Sequence, residues 1–281
     1  MNCMTLKLIP LALAVASGLI VSASEGAAAI LRTGFDSATL GANDDGSSMA
    51  VDIGFETNFF GRTNNQLYVN NNGNVTFESA LNTFTPFDLT ATGRQIIAPF
   101  FADVDTRNYG SSVTYGRGAV GGYDAFGVNW SDVGFFGGTE GRATNSFQLV
   151  LIDRSATGLG NFDIEFNYGN IGWEAGTFSG GDSNGLGGDS ARAGFSNGTG
   201  EAGTYYEIAG SAVNGAFVDG SVTALASSSN IGEPGRYLFS ARNGAVGTAE
   251  ITAPVPIPAA GWLLIAGLGG LAAMRRRNTR H

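Results

Sequence analysis

The chain has 281 residues, 44 of them glycine and 7 proline, with a formal net charge of −9. Cys3, Lys7 and His281 are the only residues of their types, and all lie near the termini. The body between them therefore has no thiol nucleophile, no imidazole base and no His/Cys zinc set, and an acidic body lacks the basic face that nucleic acid requires.

From the N-terminus, Lys7 precedes an apolar stretch, Leu8 to Val21, and Ala27-Ala28-Ala29 supplies an A-x-A cleavage site marked by Ala27 and Ala29. Residues 1–29 read as a secretory signal peptide, with cleavage after Ala23 as the other option. Cys3 stands before the apolar stretch, so it is not a lipidation cysteine. The mature body, Ile30 to about Ala253, holds ten arginines against 23 acidic residues, a net of −13. That balance suits a soluble surface protein and permits calcium. Without cysteine, a hydrophobic core alone must carry stability, and the length is ample for one.

Abundant glycine disfavours helix and suits turns between short strands. Gln66–Asn70 and Asn74–Glu78 alternate polar and apolar residues, and Asn71-Asn72-Gly73 between them predicts a hairpin. Ile96–Phe101 is a buried run in which Pro99 predicts an edge or bulged strand. Val113–Tyr115 and Ala125–Trp130 pair across a glycine-rich loop, 116–122. Ser146–Ile152 reads as a central strand. Asn161–Tyr168 alternates strictly, placing Phe162, Ile164, Phe166 and Tyr168 on one face and Asp163, Glu165 and Asn167 on a wet one. After a Gly/Ser/Asp loop at 176–188 come strands at 192–196, 204–208 and 236–240, and then a flexible linker, 243–253. The pattern predicts an all-β, antiparallel, sandwich-like fold.

Leu67-Tyr-Val-Asn-Asn-Asn-Gly-Asn-Val-Thr-Phe77, Ala98-Pro-Phe-Phe-Ala-Asp-Val-Asp-Thr106, Asn145–Asp153, Asn161–Tyr168 and Arg192–Asn197 together resemble the nidogen-like (NIDO) extracellular domain. The resemblance covers roughly residues 53–240, with its core at 98–200, and sets one domain at 30–242. It implies a β domain associated in animals with cell–matrix adhesion in nidogen, tectorin and mucin-type proteins. It brings no catalytic residues, and the cysteine-rich modules that accompany the domain there are absent here.

The C-terminal residues 254–281 order a proline motif, an apolar segment (259–274) and the basic stop Arg275-Arg276-Arg277. A transmembrane helix followed by arginines places the preceding chain outside the cytoplasm. Val255-Pro256-Ile257-Pro258-Ala259 resembles the PEP-CTERM sorting signal in its Val-Pro-Leu-Pro-Ala variant, with Ile257 in place of Leu. The resemblance implies processing near the motif by an exosortase in a Gram-negative bacterium. The ectodomain would be anchored transiently at the inner membrane, facing the periplasm, before display at the cell surface or in the matrix.

Few motifs in the body carry chemistry. Gly181-Asp-Ser183-Asn-Gly185 matches a nucleophile elbow but lies in a loop with no histidine available. Gly116-Arg-Gly118-Ala-Val-Gly121 matches a dinucleotide fingerprint, yet a strand rather than a helix follows it. Asp163 and Glu165 share a strand face, as two carboxylates in a glycosidase would. Asp103-Val-Asp105 follows a buried run and puts two carboxylates on one side, which with loop carbonyls begin a calcium site. The alternative there is a turn in which the aspartates cap backbone N–H groups or pair with Arg107 or Arg94. Asp182, Asn184 and Asp189 resemble a single unit of a calcium-binding glycine/aspartate repeat. Most aromatics are expected in the core, with Phe135-Phe136 the pair to be exposed. The expected function is a surface-sorted, non-enzymatic adhesion or matrix protein whose partner is a surface or matrix polysaccharide or protein. The alternative is an extracellular glycan-binding protein or carboxylate-dependent glycoside hydrolase.

Overall fold

The computed structural model describes residues 30–248. The expected signal peptide with Ala27 and Ala29, the expected sorting motif Val255–Ala259, the apolar segment 259–274 and Arg275–Arg277 lie outside the described residues. In chain order the strands are β1 (Ala38–Thr39), β2 (Val51–Phe59), β3 (Arg62–Asn70), β4 (Asn74–Thr76), β5 (Ile96–Phe101), β6 (Val104–Gly110) and β7 (Thr114–Val120). They continue as β8 (Tyr123–Phe135), β9 (Asn145–Asp153), β10 (Phe162–Asn170), β11 (Arg192–Ser196), β12 (Tyr205–Glu207), β13 (Arg236–Arg242) and β14 (Ala245–Thr248).

Two antiparallel sheets stack as a sandwich. The larger runs β1-β7-β8-β9-β10-β13-β14, with β6 also paired to β8; the smaller runs β12-β11-β5-β4-β3-β2. Strict alternation on β10 sends Phe162, Ile164 and Phe166 inward, where they meet Leu67, Val69 and Val75 of the smaller sheet in one apolar cluster. Phe100 against Phe147 (5.2 Å) and Phe195 against Phe239 (5.1 Å) cross between the sheets. Trp130, Trp173 and Tyr168 are fully buried with them. Each such side chain contributes on the order of 2 kcal/mol by leaving water, so a few of them match the ~2–4 kcal/mol of a disulfide.

The β3–β4 hairpin turns at Asn71-Asn72-Gly73, with Asn70 opposite Asn74. Gly73 has φ +72°, and a Cβ there would lie 1.7 Å from the Phe100 carbonyl oxygen, so only glycine fits. β9 is central, between β8 and β10.

Of the two alternatives for Pro99, the bulged strand holds and the edge strand does not: β5 pairs with both β4 and β11, and the missing N–H is absorbed where the β5–β11 register slips between Ala98 and Phe101. Three expectations change. The glycine-rich stretch from Gly116 is strand, and the turn is only Gly121-Gly122, both with positive φ, as a two-residue hairpin demands. Residues 243–253 do not begin as a linker, because β14 pairs with β13. The outer face of β10 is not wet: Asp163, Glu165 and Asn167 are buried.

The chain between Ile30 and Ser37 explains that last point. It lies across the outer face of the larger sheet, where Gln148 bonds both the Arg32 N–H and carbonyl, and Asn129 donates to the Phe35 carbonyl. Phe35 seals a second apolar cluster with Ala125, Val150 and Ile152. A Cβ at Gly127 would meet the Phe35 ring at 2.3 Å, and one at Gly116 would meet Ser37 Oγ at 2.2 Å. Gly116 and Gly118 of β7 and Gly127 of β8 are therefore slots for this segment.

Candidate functional site

The β3–β4 turn is the hub of an acidic cleft. Asn71 donates its backbone N–H to the Gly46 carbonyl (2.9 Å), and its side-chain amide to the Asp44 and Val104 carbonyls. Asn72 donates to Asp45 Oδ1 (2.8 Å) and accepts from the Val104 N–H (2.9 Å). The Asn43–Gly46 loop is closed by the Gly46 N–H on Asn43 Oδ1 (2.7 Å). Paired bonds between Asn43 and Thr106 fix this loop to β6. Two turn asparagines thus clamp the loop carrying Asp44 and Asp45 against Asp103, between β5 and β6.

Ligand oxygens of Asp44, Asp45 and Asp103 lie within 4.8 Å of one another. They line a cleft of about 390 Å³ with Phe84, Phe136 and Phe178. Phe136 and Phe178 stack at 4.8 Å, and Phe178 is 75% exposed. Asp103 is only 2% exposed, and its Oδ2 makes no hydrogen bond among the described residues. Asp44 Oδ1 is likewise buried without a partner. Burial, then the charges of Asp44, Asp45 and Asp105, pushes the Asp103 carboxyl up to about 7 against the opposing pull of Arg107. Burial and the neighbouring Asp45 and Asp105 raise Asp44 to about 6.

Asp105, placed beside Asp103 by the D-x-D spacing, faces a different partner. Arg107 donates Nε and Nη2 to its two oxygens (3.0 and 2.8 Å), and the Arg107 backbone N–H adds a third bond. Arg107 also reaches Asp44 Oδ2 at 2.8 Å. It is the one guanidinium bonded to this group of four aspartates among the described residues. Asp44 and Asp45 escaped sequence reasoning. The signal was the oxygen-rich Asn43-Asp44-Asp45-Gly46 turn, but nothing local ties it to a residue 58 positions on.

The other paired carboxylates sit on the outer face of β10 under arginines. Asp163 accepts from Arg154 and Arg242, each at 2.6 Å. Glu165 accepts both Nε and Nη2 of Arg32 (2.5 and 2.7 Å) and the Asn167 amide. The Arg32 pair lies beneath the segment that crosses this face. A sugar ring has no access to these oxygens, and their hydrogen-bonding capacity is taken.

The loop residues are less organised for chemistry. Asp182 Oδ1 accepts the Asn184 and Leu186 N–H groups, a turn-forming role. Ser183 sits in that turn with no helix after it. Gly116 and Gly118 are strand residues whose space is filled by Ser37 and Phe35. Phe135 is buried against Trp173 (5.4 Å), leaving Phe136 as the half-buried member of its pair.

The nidogen-like domain family matches residues 65–121 and 117–243. Over 223 residues, 70% of this chain, the sequence is 34% identical to alpha-tectorin of Mus musculus. It is 34% identical to alpha-tectorin of Homo sapiens over 224 residues, and 28% identical to nidogen of Drosophila melanogaster over 222 residues, or 69% of this chain. The chain spans only 10% of the length of either alpha-tectorin and 15% of the nidogen. No solved structure matches it. The Asn71–Gly73 turn and the Pro99–Asp105 segment that build the cleft both fall within the first matched stretch, and on this match the chain belongs to the nidogen-like domain family.

Proposed function

We propose that the chain is a secreted, non-catalytic adhesion or matrix module of a Gram-negative bacterium. In this reading it is exported by residues 1–29, processed by an exosortase near Val255–Ala259, and displayed at the cell surface or in the matrix. The observation that carries this is the nidogen-like match, which runs over most of the folded body. The order of proline motif, apolar segment and arginines at the C-terminus supports the route. Hydrolysis of a glycan through Asp163 and Glu165 conflicts with their burial under Arg154, Arg242 and Arg32. Glycan binding without hydrolysis has one feature in its favour: exposed Phe178, stacked on Phe136, offers the flat apolar face on which sugar rings pack.

Two measurements test the reading. Intact-mass analysis of native protein from surface, membrane and medium fractions is expected to find a species starting near Ile30 and ending near the proline motif. A species that keeps Arg275–His281 and occurs only in membranes would overturn the sorting route. Deletion of the protein is expected to weaken cell aggregation and matrix retention; unchanged aggregation and retention would remove the adhesive role.

A further inference from the structure

We propose that the cleft formed by Asp44, Asp45 and Asp103 is a calcium site, with the three carboxylates as ligands and the remaining coordination positions open toward Phe84, Phe136 and Phe178. Calcium takes oxygen ligands at about 2.3–2.6 Å, so two oxygens on opposite sides of one ion stand about 4.6–5.2 Å apart. The three carboxylates already lie within 4.8 Å of one another. One ion can therefore bridge them without moving the backbone.

The second observation is the state of Asp103. A buried carboxylate is expected to be hydrogen-bonded or paired. Asp103 is 2% exposed, lines the cleft, and keeps Oδ2 without a hydrogen bond among the described residues. Asp44 Oδ1 adds a second orphan oxygen. Arg107 bonds neither orphan oxygen: its Nε and Nη2 are engaged by Asp105 and by the other oxygen of Asp44. The donor set is all hard oxygen, with no histidine or cysteine in the body, which selects calcium over zinc or copper. The cleft, about 390 Å³, far exceeds the room one ion needs, so water or a partner's oxygen can complete the coordination. Calcium binding and adhesion are separable properties, and either can fail alone.

The experiment uses the whole chain in detergent, stripped with EGTA and titrated with calcium chloride alone, read by calorimetry and by thermal unfolding. We expect a Kd on the order of 0.1–1 mM, as in extracellular modules. At a hundredfold excess over Kd the midpoint should rise by roughly 5 °C. Asp103→Asn should weaken binding at least tenfold while leaving the EGTA-treated midpoint unchanged or higher, which a merely structural aspartate would not do. Gly176→Ala should weaken binding in the same direction, by crowding Asp103 without removing a charge. Its backbone, at φ −78° and ψ 167°, accepts alanine, but the new Cβ would lie 2.1 Å from Asp103 Oδ2. Should Asp103→Asn not fold, the half-buried Asp45→Asn should lose affinity in the same direction. Glu56→Gln, an exposed acid elsewhere, should bind as the parent does. Absence of heat and of any midpoint shift at about 10 mM calcium, well above that range, would overturn the site. So would an Asp103→Asn protein that binds calcium as tightly as the parent.

Discussion

The domain buries two sets of carboxylates and treats them in opposite ways. On the outer face of β10, Asp163 and Glu165 meet three arginines at 2.5–2.7 Å. At the acidic cleft, Arg107 is bonded to Asp44 and Asp105 but not to Asp45 or Asp103, and Asp103 is left with an unbonded oxygen. Burial costs an ionised group several kcal/mol unless charge and hydrogen bonds repay it. Where the chain supplies the repayment itself, as on β10, the carboxylates hold the fold together. Where it does not, the cost stands until something from outside supplies the missing charge.

The largest effect should come from breaking the compensated set. Glu165→Ala leaves Arg32, Arg236 and the Asn167 amide facing an emptied position. It should cost about 3 kcal/mol or more in urea unfolding; a cost below about 0.5 kcal/mol, the size of an ordinary surface change, would mean these pairs are ornamental. Gly127→Ala comes next, because its Cβ would drive into the Phe35 ring at 2.3 Å and lift the segment covering those pairs. Overpacking of this kind costs about 1–3 kcal/mol, and hydrogen exchange at the Arg32 amide, bonded to Gln148, should accelerate with it.

A smaller, pH-dependent effect belongs to the cleft. With calcium chelated, Asp103 titrates near 7 and Asp44 near 6 in the folded chain, against an ordinary 3.8. Between about pH 4 and 7 the folded state then holds more protons than the unfolded one, so stability falls as pH rises through that window. Urea midpoints across the series should show the slope, and Asp103→Asn should flatten most of it. A profile that is already flat in the parent would contradict the contrast between the two sets. Least of all, Phe178→Ala should stay within about 0.5 kcal/mol, as an exposed rim residue does. A larger loss would make the rim part of the core.

The same contrast explains what the sequence disclosed. The β3–β4 hairpin, β9 and β10 were legible because their signals are local: an Asn-Asn-Gly turn, a long apolar run, strict alternation. β2 is absent from the sequence-based expectations although its signal is also local: Val51, Ile53, Phe55, Thr57 and Phe59 alternate with Asp52, Gly54, Glu56 and Asn58, and Ile53, Thr57 and Phe59 face inward. The β7 glycines read as a loop because their reason for being glycine lies in another segment, at Phe35 and Ser37. In the cleft, Asp103 was legible from the D-x-D spacing. Asp44 and Asp45 were not, because only the folded turn at Asn71 and Asn72 brings them across. The hairpin asparagines read as turn formers, and their second role as clamps needs three-dimensional neighbours to be seen. The cover of arginines over β10 was hidden for the same reason, since Arg32 and Glu165 lie 133 positions apart.

The strand that ends the described fold sets how the domain would bear load. Four residue pairs join β14 to β13, whereas six join β13 to β10. A pull applied beyond Thr248 reaches the sheet through the weaker ladder, starting at the Thr248–Phe239 pair. β14 therefore yields first, lengthening the tether and dissipating work. The stronger ladder then keeps Phe239 in place and the sandwich shut. A module held to a surface by its C-terminal side would in this way carry its own mechanical fuse.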